Sequence, residues 1–163
     1  GIICSKNEKI VEMYRTLAYN GIVGPNSWDG EIHTTGWKMY MNSIQAYIAN
    51  ENLKKLDDKK RKLEIVSSVY NNEFGLSNNS HHLYRIRVKD NIEFLQYMKS
   101  QDITCGIHYK CLHNKPIYRK SVKLPKSELE EKQTVSIPFH EKLTDTEIIR
   151  VIKCVKSSQL LLN

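Results

Sequence analysis

The sequence predicts an α/β fold, and three observations carry that prediction. Leu83-Tyr84-Arg85-Ile86-Arg87-Val88 alternates apolar with basic residues, the two-residue period of a half-buried strand. Between Met41 and Asn72, residues Ile44, Tyr47, Ile48, Leu56, Leu63, Val66, Val69 and Tyr70 recur at helical spacing with no Gly or Pro between them. Beyond the strand, helix-type and strand-type segments take turns to the end of the chain, the pattern of a small α/β layer.

Length and composition agree. A chain of 163 residues can bury one real core, and 40% hydrophobic with 26% charged residues keeps it clear of the disordered class.

Taken in order, Gly1-Ile2-Ile3-Cys4 is a β-rich apolar run without an initiator Met, so the chain reads as starting inside a sheet, as a fragment would. Ile10, Val11, Tyr14, Leu17 and Ala18 then predict a helix over residues 8–19, stopped at Asn20-Gly21. From Ile22 to Gly36 the turn formers Gly24-Pro25-Asn26, Asp29-Gly30 and Thr34-Thr35-Gly36 predict a long loop with Trp28 and Trp37 nearby. Loops of that length inside compact domains are usually functional. One long amphipathic helix is expected over 41–72, then a polar break through Asn71, Asn72, Gly75, Asn78, Asn79 and Ser80.

After the strand at 83–88, Asp90 and Glu93 resemble a capping box that opens a helix packing Ile92, Leu95 and Met98. Ile103 to Tyr109 is expected as a second strand, Ser127 to Lys132 as a short helix, and Thr134 to Ile137 as a third strand stopped by Pro138. Thr144 and Glu147 start a last helix through Ile148, Val151, Ile152 and Val155. No internal repeat is visible.

The net charge of +7 admits nucleic acid, an anionic surface or a phosphorylated small substrate as partner. Lys54, Lys55, Lys59, Lys60, Arg61 and Lys62 are interleaved with Asp57, Asp58 and Glu64, which describes a solvated helix face, and nucleic-acid motifs are missing. No nucleic-acid role is expected. No apolar run approaches the roughly 18 to 20 residues of a membrane span, and no basic-then-apolar leader is present. Cys4, Cys105, Cys111 and Cys154 are few and irregular, as for reduced thiols in a reducing, cytoplasmic compartment.

The densest chemical window is Gly106-Ile107-His108-Tyr109-Lys110-Cys111-Leu112-His113. Imidazoles suit proton transfer, metal ligation or phosphate contact near neutral pH. A zinc site from Cys105, His108, Cys111 and His113 is disfavoured, because ligands so close along a strand and loop point to different faces. Cys111 as a nucleophile lacks a family signature around it, and no Gly-rich phosphate loop occurs. The residues alone leave structural histidines and ligand-contacting ones both open.

Longer patterns carry a resemblance. Gly36-Trp37-Lys38-Met39-Tyr40-Met41-Asn42-Ser43-Ile44-Gln45-Ala46, running on to Leu53 and Lys55-Leu56-Asp57, is similar to the Gly-aromatic-Asn/Lys-aromatic-x-Met-x-x-Ile/Leu-Gln-Ala segment of the DegT-type nucleotide-sugar aminotransferases. His82-Leu83-Tyr84 with Ile86 and Val88 resembles that family's His-Leu-aromatic strand, and Gly106-Ile107-His108-Tyr109 with Leu112-His113 its Gly-x-His-Tyr-x-x-x-Leu-His run. Ser136-Ile137-Pro138-Phe139-His140, Leu143-Thr144-Asp145 and Ile149 with Ile152 are similar to its closing segments, and Asn20-Gly21-Ile22 to an earlier turn.

The resemblance implies the C-terminal part of a fold-type I, pyridoxal 5'-phosphate-dependent transferase. Residues 1–40 would end the cofactor-binding large domain, 41–74 form a connecting helix, and 75–163 a small domain with a short antiparallel sheet backed by helices. It implies amino transfer from glutamate to a nucleotide-linked keto-deoxyhexose in a homodimer with shared active sites. A sugar dehydratase of the same family, or a dimerisation module without chemistry, are the alternatives.

It also implies that no catalytic residue lies in this chain, since the Schiff-base lysine of the family would precede Gly1. Lys38 would approach the cofactor phosphate, with Trp37 and Tyr40 at the same mouth; many members carry Asn at the first position and Arg where Tyr40 stands. His108, Tyr109 and His113 would bind the sugar nucleotide. His82 is expected on a strand in a structural role, and no metal site is expected.

Overall fold

A computed structural model describes residues 3–24, 29–118 and 122–162, which form two compact units, Gly1–Lys54 and Lys55–Asn163. In the first unit, Asn7 caps helix α1, Glu8–Ala18, its side chain accepting the Lys9 N–H at 3.0 Å. Helix α1 ends where Asn20 and Gly21 take positive φ, as the Asn-Gly pair predicts. Inside the expected loop, β1 (Ile22–Val23) pairs antiparallel with β2 (Glu31–Ile32). Trp28 and residues 25–27 of that loop lie outside the described residues, as do Gly1 and Ile2 of the expected opening strand. Ile3 and Cys4 belong to no strand.

The helix expected over 41–72 forms two helices, α2 (Ser43–Lys54) and α3 (Leu56–Phe74), parted at Lys55. Asn42 and Gln45 cap α2 reciprocally, each side chain accepting the other's N–H. Lys54 stands in the last turn of α2, and Asp57 and Asp58 in the first turn of α3, so the charges complement both helix ends at the break. Ile44, Tyr47 and Ile48, read as core-facing, are 73%, 68% and 54% exposed. Among the described residues of the first unit no apolar side chain is buried.

The second unit holds the core. Strand β3 (Tyr84–Arg87) pairs antiparallel with β4 (Thr134–Ile137), Tyr84 opposite Ile137 and Arg85 opposite Ser136. Tyr84 and Ile86 face inward, Arg85 and Arg87 outward. Inward residues of the sheet meet Val66, Tyr70 and Phe74 of α3, Phe94 and Met98 of α4 (Asn91–Ser100), and Ile148, Val151, Ile152 and Val155 of α6 (Asp145–Ser157). The tyrosines pack without orphaning their hydroxyls: Tyr70 donates to the Pro138 carbonyl and Tyr84 to Asn71 Oδ1.

Helix α6 opens with a full Thr144–Glu147 capping box, and Asp90 caps α4 through the Ile92 and Glu93 N–H groups. Ile92, expected in the core, is 54% exposed. The stripe of α4 turns toward Asn91, Phe94 and Met98 instead, because buried Asn91 donates its side chain to the Glu131 carbonyl and fixes the rotation of the helix. The second strand expected at 103–109 reduces to one bridge, Gly106 with Ser136, on the β4 edge away from β3. The short helix near 127–132 is α5, Pro125–Gln133. No described helix is long and apolar enough to cross a membrane.

Candidate functional site

The sequence-predicted residues fall into two groups, one in each unit. In the first, the segment from Gly36 to Met39 lies along the C-terminal end of α1. The Trp37 N–H donates to the Leu17 carbonyl at 2.7 Å, the Asn20 N–H to the Trp37 carbonyl at 3.0 Å, and the Met39 N–H to the Ala18 carbonyl at 2.8 Å. The bonds to Leu17 and Ala18 occupy carbonyls that a helix end leaves without partners, and the set forms a bridge between Tyr19 and Lys38. Only glycine permits the approach: a Cβ at Gly36 would lie 2.1 Å from the Gly21 nitrogen, and one at Gly21 would lie 1.7 Å from the Thr34 carbonyl oxygen.

Lys38 is thereby held on a fixed backbone while its side chain is exposed. Its Nζ lies 6.0 Å from the centroid of the Tyr40 ring, which packs edge-on against Tyr19 at 5.3 Å. No carboxylate pairs with Lys38 among the described residues. Trp37 and Tyr40 are 59% and 47% exposed beside it.

The second group lines an open groove of about 600 Å³ in the other unit. Its walls include Arg85 of β3, His108, Tyr109, Cys111 and His113, and Lys126, Glu130 and Glu131 of α5. His108 Nδ1 lies 3.0 Å from Ser136 Oγ, so the buried β4 serine orients the ring. His113, in a 3₁₀ turn at Leu112–Asn114, is anchored with Nε2 3.1 Å from Glu128 Oε1 and its side chain 10% exposed. Tyr109 is 72% exposed at the rim.

The Cys111 N–H donates to Glu131 Oε2 at 2.9 Å, and this bond holds the Glu131 carboxyl below the ordinary carboxylate range. Hydrogen bonding to the same carboxylate raises the Cys111 thiol, which disfavours the thiolate that a nucleophile requires. Glu128 is lowered by the Leu124 N–H and then by His113. Among the described residues no three His, Cys, Asp or Glu side chains converge as metal ligands.

His82 precedes β3, exposed in a bend, with its N–H donating to Ser80 Oγ; the expected strand position is one the structure does not bear out. The sequence alone did not single out Arg85 and Lys126 as groove residues, or Ser136 as the partner of His108. Alternation in β3 puts Arg85 on the outward face, but only the pairing of β3 with β4 shows which residues that face meets.

A family model described as the DegT/DnrJ/EryC1/StrS aminotransferase family matches residues 1–156. The chain belongs to this family. An uncharacterized protein of Methanocaldococcus jannaschii is 30% identical, with 96% of the chain covering 48% of that protein. The UDP-4-amino-4,6-dideoxy-N-acetyl-beta-L-altrosamine transaminase of Campylobacter jejuni is 24% identical, with 88% of the chain covering 43% of it.

Among solved structures, the aminotransferase TlmJ from Streptoalloteichus hindustanus superposes with a TM-score of 0.85 at 20% identity, over 96% of this chain and 46% of that one. The fold is therefore that of one part of a family aminotransferase. The chain spans about half the length of the curated relatives it matches.

Proposed function

We propose that the chain is the C-terminal part of a cytoplasmic, homodimeric, pyridoxal phosphate-dependent enzyme that moves an amino group from glutamate to a nucleotide-linked keto-deoxyhexose. The family match over residues 1–156 carries this reading. Residues 1–40 would complete a large cofactor-binding domain, 41–74 connect it, and 75–163 form the small domain. The exposed Ile44, Tyr47, Ile48 and Met39 supply apolar surface of the kind a subunit interface covers.

The residues present fit the phosphate end of the cofactor. Lys38 offers a cation free of carboxylate competition on a backbone tied to α1, which suits a phosphate dianion. Trp37 and Tyr40 would wall the same mouth. When bound, the cofactor would supply the electron sink for proton removal from the amino-bearing carbon; no lysine of this chain is assigned to that proton.

In the groove, the work is binding and orientation. His113 meets Glu128 through Nε2, which makes that nitrogen the donor and leaves Nδ1 to accept from a sugar hydroxyl in the neutral ring. His108, turned by Ser136, has Nε2 remaining for a phosphate or hydroxyl oxygen, and exposed Tyr109 can stack on or bond the ligand.

The test uses the complete protein with amine-labelled glutamate and a nucleotide-linked keto-deoxyhexose. Label in the sugar, with one 2-oxoglutarate released per amine transferred, is the expected result. Loss of a sugar hydroxyl without label transfer would overturn it in favour of dehydration.

A further inference from the structure

In the groove beside His108 the carboxylates of the wall have partners and the cations do not. Each carboxylate of its wall is engaged: Glu130 by Arg87 at 3.0 Å and by the Thr134 hydroxyl at 3.1 Å, Glu131 by the Cys111 N–H. Lys110 and Lys115 also act on Glu131. His113 is matched by Glu128 outside the wall. The two full cations of the wall, Arg85 and Lys126, have no hydrogen-bond or ion-pair partner among the described residues. The groove thus presents two cations without protein partners, one on β3 and one on α5.

Register explains where Arg85 stands. It lies directly opposite Ser136, so both side chains leave the same face of the sheet, the face away from Tyr84 and Ile86. Ser136 Oγ in turn meets His108 Nδ1. Ser136 thus links the strand position opposite Arg85 to His108, and Arg85 and His108 both line the groove, one with a planar fork of donors and the other with an imidazole.

Arg85 falls between the residues that carry the family resemblance in this strand, Tyr84 and Ile86, so the resemblance assigns it nothing.

We propose that Arg85, with Lys126 across the groove, anchors the diphosphate of the nucleotide-linked substrate and is a specificity-determining residue for it. The inference rests on the nucleotide-sugar reading above. Two cations on separate elements match two linked phosphates, and a guanidinium can hold phosphate oxygens bidentately. A volume of about 600 Å³ with Ile107, Leu112 and Leu124 in its walls exceeds what an amino-acid donor fills and offers apolar surface to a base or sugar.

The test uses the complete protein, in which the groove stands as the proposed function requires. Inorganic pyrophosphate, uridine diphosphate and glutamate are each titrated by calorimetry into the wild type, Arg85→Gln, Arg85→Lys and Lys126→Gln. The Arg85 side-chain Nε–H resonance is followed in parallel.

Both diphosphates are expected to bind the wild type and shift that resonance. Arg85→Gln should bind them about tenfold or more weakly, as for loss of a charged hydrogen bond, with Arg85→Lys and Lys126→Gln intermediate. Arg85 is exposed, so its variants keep the core, and unchanged circular dichroism confirms the fold. Equal diphosphate affinity in the wild type and Arg85→Gln would overturn the proposal and leave the nucleotide-sugar reading standing. Binding of glutamate alone, lost in Arg85→Gln, would overturn it in favour of a donor-carboxylate site. Absence of diphosphate binding to the wild type would overturn the proposal together with the placing of the nucleotide in this groove.

Discussion

His113 Nε2 lies 3.1 Å from Glu128 Oε1, and that oxygen also accepts the Leu124 N–H at 3.0 Å. One carboxylate of α5 thus fastens both the turn at 112–114 and the segment before the helix, and so shapes one wall of the groove. The two hydrogen bonds favour the ionised carboxylate, which is why its folded-state value is lowered.

A group depressed on folding contributes stability that is complete above its unfolded value, about 4.3 for Glu, and is lost as pH falls through the lower folded value. Glu131, Glu141 and Glu147 are lowered in the same sense, each chiefly by a backbone N–H. The denaturation midpoint should therefore decline below the ordinary carboxylate range. In Glu128→Gln that acid-side decline should be shallower, with stability above it reduced; an unaltered pH profile would contradict the assignment.

Gly36→Ala should detach the segment carrying Lys38 from α1. The added methyl would meet backbone atoms of Gly21, Asn20 and Leu17 within 2.8 Å. Overpacking against backbone costs about 1–3 kcal/mol or more. Amide hydrogen exchange should show protection lost at Trp37 and Met39 while the 84–87 strand is unchanged.

Phe94 is fully buried in the core of the second unit. Phe94→Ala should cost about 3–5 kcal/mol from lost burial and the cavity left behind, read as a lower denaturant midpoint with the slope preserved. A loss well below that range would mean that the core collapses around the site.

Burial pushes the Cys105 thiol up to about 12. Cys105 should stay unmodified by iodoacetamide in the folded chain near neutral pH and react once the chain is unfolded; mass mapping of the labelled peptides checks this. Exposed Cys4 should react in both states.

Lys38→Ala in the complete protein should weaken binding of pyridoxal phosphate about tenfold, the loss of one charged hydrogen bond to phosphate. Equilibrium dialysis of the cofactor reads this without turnover, and an unchanged dissociation constant would remove Lys38 from the cofactor mouth.

Local signals carried the elements whose ends are set by local hydrogen bonds. Thr144 and Glu147 announced α6, Asp90 announced α4, Asn20-Gly21 the end of α1, and Pro138 the stop of β4, since a cap or an imino ring acts within one turn of chain. Failures came where a distant partner decides. The periodicity through 41–72 ran unbroken across Lys55, although Lys54, Asp57 and Asp58 were already the charges of two helix ends. Ile92 and Phe94 both fit a helical stripe, and it took the bond from Asn91 to Glu131 to choose between them.

By itself the sequence determined the α/β class, the elements at 84–87, 91–100, 125–137 and 145–157 of the second unit, and the residues that carry the family likeness, because each depends on spacing along the chain. Only the tertiary structure decided the groove. Strand pairing sets Arg85 opposite Ser136, Ser136 meets His108, and His113 meets Glu128 across fifteen residues. Those meetings depend on register and on the packing of α5 beside the 106–114 segment, and no spacing in a linear chain encodes which side chains will face one another there.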